Sequence, residues 1–144
     1  LKTIRMLSDA GIPVRAMVAP VIPALTDHEL EAILNACAKN GALAASYIML
    51  RLPREVAPLF QDWLTEHVPD RAARVMNRVR DLHGGKEYDS TFGARMKGQG
   101  EWADLMAQRF EITLKRTGLQ WKLPHLRRDM FRVPPKAGDQ LSLF

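Results

Sequence analysis

The chain has 144 residues, enough for one domain with a substantial core. Hydrophobic residues make up 47% and charged residues 26%, a balance typical of globular proteins and not of disordered or fibrous ones. No apolar run reaches the ~18–20 residues that a membrane helix needs, so we expect no membrane partner. Cys37 is the only cysteine, which excludes an intrachain disulfide and favours a reducing cytoplasm.

The formal net charge of +5 is unevenly distributed. Residues 1–70 contain 6 Lys and Arg against 8 Asp and Glu, whereas residues 71–144 contain 15 against 8. The second half therefore predicts affinity for anions, nucleic acid among them. A solvated basic surface explains the charge alone at least as well.

The first part of the chain has the pattern of a helix, a strand, a helix and a second strand. A short helix is expected before Gly11, and buried strands are expected over residues 13–20 and 43–50. Between the strands, Thr26 and Glu29 have the spacing of a capping box. The helix that follows is expected to bury four side chains, Leu30, Ile33, Leu34 and Cys37. Two buried strands joined by a helix predict a parallel sheet covered by helices.

Three more helices are expected in the rest of the chain. One begins near Pro53 and Pro58, with an apolar face of Val56, Leu59, Phe60, Trp63 and Leu64. After a break at Pro69, a helix over residues 70–83 turns four side chains inward, Ala72, Val75, Met76 and Val79. A helix over residues 101–117 is expected to bury Trp102, Leu105, Met106, Phe110 and Leu114.

A glycine-rich basic loop over residues 84–100 joins the last two helices. Gly93, Gly98 and Gly100 permit close approach of the backbone to a phosphate, although the loop lacks the residue order of a P-loop. The helix before it carries arginines at i, i+3 and i+7. The candidate nucleic-acid-binding residues are Arg71, Arg74, Arg78, Arg95 and Lys97. A flexible surface connection is the alternative interpretation of the loop.

Other chemistry-bearing residues form no recognisable site in the sequence. The histidines have no metal-ligand spacing and are interpreted as surface or hydrogen-bonded residues: His28, His67, His83 and His125. No nucleophile and base are arranged in a pattern that the sequence supports. Cys37 falls on an apolar helix face and is expected to be a buried structural thiol.

Three stretches resemble a known family: AGIPVRAMVAPVIPALTDHE, SYIMLRLPREVAPLFQDWL and GGKEYDSTFGARMKGQGEWA. The resemblance is to the C-terminal half of bacterial radical S-adenosylmethionine proteins of the DNA repair photolyase-like type, relatives of spore photoproduct lyase. It implies a partial (β/α)6 barrel in which a 4Fe–4S cluster on a CxxxCxxC loop cleaves S-adenosylmethionine to a 5′-deoxyadenosyl radical. It also implies an action on DNA or another nucleic acid in repair.

The chain departs from this family because it has no CxxxCxxC, and one cysteine cannot hold a cluster that needs several thiolates. We therefore expect an α/β chain that supplies the last two βα units of the barrel, over residues 1–68. Residues 69–133 are expected to form a C-terminal helical extension, and residues 134–144 a linker with a terminal peptide. The cluster ligands would lie upstream of Leu1, in a missing N-terminal half, so this chain alone is not expected to be active.

The resemblance places part of a cofactor wall at the carboxyl ends of the two strands. It implies contact with the adenine of S-adenosylmethionine by Val21 and Ile22, with Leu50 and Leu52 close by. Arg51, the one charged residue there, would meet a carboxylate or a phosphate. In the alternative, Ile22 and Leu52 are core residues and Arg51 pairs with Glu55.

The chain ends on Gln140-Leu141-Ser142-Leu143-Phe144, after the linker VPPKAGD. This ending is similar to the peptide by which bacterial DNA polymerases and repair proteins bind the sliding clamp. Leu143 and Phe144 would fill an apolar pocket, Leu141 would add contact, and Gln140 would hydrogen-bond at the rim. Two alternatives stay open: a non-catalytic DNA-associated module that binds the clamp, and a tail that packs on its own domain.

Overall fold

The computed structural model describes residues 1–126, 129–136 and 138. Its two strands are β1 (Arg15–Val21) and β2 (Ala44–Met49). Its helices are α1 (Lys2–Asp9), α2 (Leu30–Lys39), α3 (Val56–His67), α4 (Pro69–Leu82) and α5 (Glu101–Thr117), with short 3₁₀ turns at Asp27–Glu29 and Ala94–Met96. In the part of the chain so described, no helix is both long enough and apolar enough to cross a bilayer.

The two strands pair in parallel, as the βαβ pattern predicts, and α2 makes the crossover between them. Arg15 lies opposite Ala44, and the register shifts after Val18, where the Ala19–Pro20 peptide bond is cis. The Leu50 amide donates a hydrogen bond to the Val21 carbonyl over 3.0 Å. The carboxyl ends of both strands are therefore held side by side.

One face of the sheet carries the main core. Ala16 and Val18 from β1 and Ala45, Tyr47 and Met49 from β2 share a buried cluster with side chains of α2 and α5. Ile4 of α1 packs against the same cluster. Helix α5, which belongs to the predicted extension, thus shares its core with the strands.

The opposite face of the sheet is open. Met17 is 58% exposed on this face, its neighbours Arg15 and Ala19 are exposed as well, and Ser46 and Ile48 are half-buried. No strand in the described ranges pairs with the outer edge of β1.

The outer edge of β2 meets Gln120, which follows the end of α5. The Ala45 amide donates to the Gln120 carbonyl, and the Gln120 amide donates to the Leu43 carbonyl, each over 2.9 Å. This contact brings the end of α5 to the amino end of β2.

A second cluster lies at the carboxyl ends of the strands, where α3 and α4 pack together. Leu50 and Leu52 are buried there with Leu64 of α3 and with Val75, Met76 and Val79 of α4. The predicted inward face of α4 is therefore confirmed, apart from Ala72, which is partly buried.

The apolar face predicted for α3 is correct for Leu64 and Phe60 but wrong for its other three residues. Leu59 is 66% exposed and Trp63 is 43% exposed, and Val56 is also exposed. The helix buries Leu64, as predicted, and Ala57, which was not predicted, and Phe60 is half-buried against the second cluster. The stacked rings of Phe60, Trp63 and His67 follow one side of this helix, from the half-buried Phe60 to the exposed Trp63 and His67.

The predicted capping box at α2 is also wrong. The Thr26 hydroxyl accepts a hydrogen bond from the Ile22 amide over 3.0 Å, so it caps no helix. Ile33 is partly exposed because it lines a groove of about 280 Å³ along the outer edge of β1, together with Val18 and Pro20.

The predictions for α5 are correct in extent and mostly correct in burial. Met106, Phe110 and Leu114 are buried, as predicted. Trp102 is only half-buried and Leu105 is exposed.

An ion pair ties α5 to α2. Arg109 donates from Nε to Glu31 Oε1 over 2.7 Å and from Nη2 to Glu31 Oε2 over 2.8 Å. Its Nη2 also donates to the Asp27 carbonyl over 3.0 Å. The hydrogen bond from Arg109 holds the pKa of Glu31 below its ordinary value, and the same bond raises the pKa of Arg109.

Replacing Glu31 by Gln is expected to lower the free energy of unfolding by about 1 kcal/mol at neutral pH, because the pair is only partly shielded from water. The Glu31 carboxyl has a lowered pKa in the folded state. Its stabilisation is therefore present above the pKa of the unfolded chain and is lost as the pH falls through the folded-state pKa.

Urea unfolding of wild type and Glu31→Gln at neutral pH and at about pH 3 checks this. Exposed Glu66 provides the matched control, Glu66→Gln. A Glu31→Gln effect that is the same at both pH values, or no larger than that of Glu66→Gln, contradicts the expectation.

Candidate functional site

The carboxyl ends of the strands bring together the residues that the resemblance assigns to the cofactor wall. Val21, Leu50 and Leu52 are buried, whereas Ile22 is half-buried and packs against the second cluster. Leu52 belongs to the second cluster. The contact of these residues with adenine stays a prediction.

In the loop after β1, the backbone amide and carbonyl of Ile22 are both hydrogen-bonded within the loop itself. The Ile22 amide donates to Thr26 Oγ1, and the Ile22 carbonyl accepts from the amides of Leu25, Thr26 and Asp27 over 2.9 to 3.2 Å. A ligand at Ile22 would consequently meet an apolar side chain and not a free backbone group.

Arg51 turns towards the glycine-rich loop. Its Nη2 donates to the Tyr88 hydroxyl over 3.1 Å, and its guanidinium carbon lies 5.7 Å from the centre of the Tyr88 ring. Arg51 does not pair with Glu55, and no carboxylate among the described residues lies within 4.0 Å of it. Its Nε is buried and has no hydrogen-bond partner in that part of the chain.

His83 is the residue that the sequence analysis missed. It is only 3% exposed, its Nε2 has no partner among the described residues, and its ring lies edge-on to Tyr88 with centres 6.4 Å apart. The interpretation as a surface or hydrogen-bonded histidine is therefore wrong. The sequence does indicate the burial of His83, because His83 follows Val79 by four positions and so continues the buried face of α4.

The acidic residues of the same loop are occupied elsewhere. Glu87 accepts hydrogen bonds from Arg80 over 2.9 Å and from Gln61 over 3.1 Å. Asp89 accepts from the side chain and amide of Thr91, and these bonds lower the pKa of Asp89. The loop is thus attached to α3 and α4 through Glu87, while the Tyr88 hydroxyl is the only side chain of the described residues that hydrogen-bonds Arg51.

The glycines of residues 84–100 do not act alike. The Gln99 amide donates to the Leu82 carbonyl over 3.0 Å, and a β-carbon at Gly98 would lie 2.8 Å from Leu82 Cδ2. Gly98 therefore approaches the end of α4. A β-carbon at Gly93 or Gly100 would meet nothing within 4 Å.

The five basic residues predicted to bind nucleic acid have different surroundings. Arg71 and Arg74 are exposed on α4 and have no ion-pair partner among the described residues. Arg78 pairs with Asp81 over 3.1 Å. Arg95 lies over the Phe92 ring at 5.4 Å, and Lys97 lies over the Trp121 ring at 6.0 Å. Of these five residues, Arg71 and Arg74 are consequently the most available to a polyanion.

The residues present do not fit an iron–sulfur cluster. Cys37 is buried on α2, where burial raises the pKa of its thiol, and one thiol cannot hold a cluster that needs several. Within residues 1–126, 129–136 and 138, no three or more His, Cys, Asp or Glu side chains are grouped so that they could hold a metal ion.

The predicted clamp-binding residues Gln140, Leu141, Leu143 and Phe144 lie outside the described residues. Both interpretations of the tail therefore stay predictions. Comparisons of the chain with protein-family models, curated protein sequences and solved structures found no significant match.

Replacing Gly98 by Ala is expected to lower the free energy of unfolding by about 2 kcal/mol or more, because a positive φ of 74° is combined with a clash against Leu82. Gly93→Ala is the matched control, since its φ of 94° is also positive but its surroundings are open. Its expected cost is about 1 kcal/mol.

Thermal unfolding of both variants measures the difference. Equal losses would show that the contact between Gly98 and Leu82 does not hold the loop against α4.

Proposed function

We propose that this chain is the C-terminal portion of a radical S-adenosylmethionine enzyme that acts on nucleic acid, as its sequence resemblance implies. One observation carries the proposal: the parallel pair β1–β2 has helices over one face only. Its other face and the outer edge of β1 are uncovered in the described part of the chain.

This arrangement supports the proposal because parallel strands are normally covered on both faces, and an unpaired edge invites further strands. In a partial (β/α)6 barrel, the N-terminal half would pair with the outer edge of β1. The open face with Met17 would then line the inside of the barrel, and α1, α2 and α5 would lie outside.

In this proposal, the chain contributes the wall beside the adenine of S-adenosylmethionine. Ile22 offers a half-buried apolar side chain at the carboxyl end of β1, next to the buried Val21, and packs against the cluster that contains Leu50 and Leu52. The chain provides no ligands for the cluster, which would have to come from the N-terminal half.

The proposal is tested on the protein encoded by the whole reading frame, which should contain CxxxCxxC upstream of Leu1. After anaerobic reconstitution, it should form 5′-deoxyadenosine from S-adenosylmethionine. Met17→Asp should reduce this activity at least about tenfold, because the charge would be buried inside the barrel. The same substitution should leave the 144-residue chain as stable as the wild type, since Met17 is exposed in it.

Leu59→Asp is the matched control, because Leu59 is also exposed but lies on α3. It should change neither activity nor stability. Equal effects of the two substitutions on the full-length protein would contradict the placement of Met17 inside a barrel.

Nucleic-acid binding by the exposed arginines of α4 is a separate expectation. The double variant Arg71→Gln/Arg74→Gln should weaken binding to DNA and reduce the salt dependence of log K by about 2, because neither side chain would still neutralise a phosphate. Fluorescence anisotropy at several salt concentrations measures both quantities. The control is Lys2→Gln/Arg54→Gln, which removes the same charge from two other exposed positions. Identical effects of both variants would indicate a general charge effect and no binding surface on α4.

The second candidate function is a non-catalytic module that binds the sliding clamp, and the sequence QLSLF favours it. The sequence upstream of Leu1 distinguishes the enzyme from the clamp-binding module. A reading frame without CxxxCxxC would remove the enzyme and leave the clamp peptide, with Gln140, Leu143 and Phe144 as its anchors.

A further inference from the structure

Three polar side chains meet at the carboxyl end of β2: Arg51, Tyr88 and His83. We propose that they form a binding site for a phosphate group. The proposal stands whether or not the chain belongs to a radical enzyme, because it depends only on contacts within the chain.

The first observation is a cation without a counter-charge. Arg51 directs Nη2 to the neutral Tyr88 hydroxyl, its Nε is buried and unpartnered among the described residues, and no carboxylate of those residues reaches it. A partly buried guanidinium in these surroundings is destabilised by desolvation, and a bound anion relieves this.

The second observation is a buried imidazole beside the same phenol. His83 is 97% removed from solvent, and its Nε2 lacks a partner in the described ranges. Both groups lie near the Tyr88 ring, with the Arg51 guanidinium carbon at 5.7 Å and the His83 ring at 6.4 Å from its centre. Unpaired nitrogens of two side chains are thereby gathered around one ring.

These groups are suited to an anion because all three have a hydrogen to donate. The guanidinium carries only donors, and the imidazole carries one on either nitrogen, depending on its tautomer. The Tyr88 hydroxyl accepts from Arg51 and so keeps its own hydrogen for another acceptor.

The nearby acids cannot supply this anion. Glu87 is bound by Arg80 and Gln61, and Asp89 is bound by Thr91. The anion must therefore come from outside the loop.

Phosphate matches the site better than a carboxylate does. Its oxygens point to the corners of a tetrahedron and can accept from a guanidinium, a phenol and an imidazole that lie in different directions, whereas the two oxygens of a carboxylate lie in one plane. The excess of 15 Lys and Arg over 8 Asp and Glu in residues 71–144 also attracts polyanions. The phosphate could belong to a free nucleotide or to a nucleic-acid backbone.

Titrations of the 144-residue chain followed by NMR test the proposal, with the His83 ring signals as reporter. Inorganic phosphate, a 5′-nucleoside monophosphate, a single-stranded oligonucleotide without terminal phosphates, and acetate are added separately. Phosphate should shift the His83 signals saturably. Arg51→Gln should raise the dissociation constant about tenfold or more, because a charge-assisted hydrogen bond is removed.

Two further variants keep the test decisive. Tyr88→Phe retains the ring and should weaken phosphate binding several-fold even if Arg51→Gln fails to fold. Arg54→Gln is the matched control, since it removes the same charge from an exposed position three residues away and should leave the affinity unchanged.

The four ligands identify the source of the phosphate. Binding of the oligonucleotide supports a backbone phosphate, and binding of the mononucleotide without the oligonucleotide supports a free nucleotide. Acetate binding as tight as phosphate binding would overturn the assignment to phosphate. Absence of a saturable shift, or equal affinity in wild type, Tyr88→Phe and Arg54→Gln, would overturn the site itself.

Discussion

The packing of Phe110 against Tyr47 holds α5 across the sheet, and the arrangement of the C-terminal half depends on it. Phe110 is fully buried, and its ring centre lies 4.8 Å from that of Tyr47. The Glu31–Arg109 pair fixes the neighbouring turn to α2. Because the end of α5 meets the amino end of β2 at Gln120, the helix must begin near the opposite end of the strands. The glycine-rich loop that leads into α5 is thereby placed where Tyr88 reaches Arg51.

This placement changes the meaning of the loop over residues 84–100. Its composition suggests a flexible connection or a bare phosphate cradle, yet Gly98 packs on Leu82 and Glu87 binds Arg80 and Gln61. The loop therefore presents side chains from a supported backbone. The polar groups proposed to bind a ligand at the strand ends are then Arg51, Tyr88 and His83. The exposed arginines of α4 form a separate surface.

Regular burial patterns made much of the fold predictable. Both strands, their parallel pairing and the bounds of α5 follow from apolar periodicity, because each of these elements buries a face. The face of α3 was partly mispredicted because periodicity shows that Leu59 and Trp63 are aligned but not whether anything covers them. The Thr26 hydroxyl could accept a hydrogen bond from the Glu29 amide, as in a capping box, or from the Ile22 amide, as observed. The sequence does not show which of the two bonds forms. His83 and Tyr88 meet Arg51 only through tertiary packing, so their site needed coordinates.

The bonds of Gln120 to Leu43 and Ala45 make the two borders of the sheet unequal. On the β2 side, a residue of the chain's own C-terminal region already takes up backbone groups at the start of the strand. On the β1 side, nothing in the described ranges does so. Protection of this kind at one border discourages indiscriminate self-association from that direction. An added strand would therefore find free backbone groups along β1 from its first residue, but along β2 only beyond the stretch that Gln120 occupies.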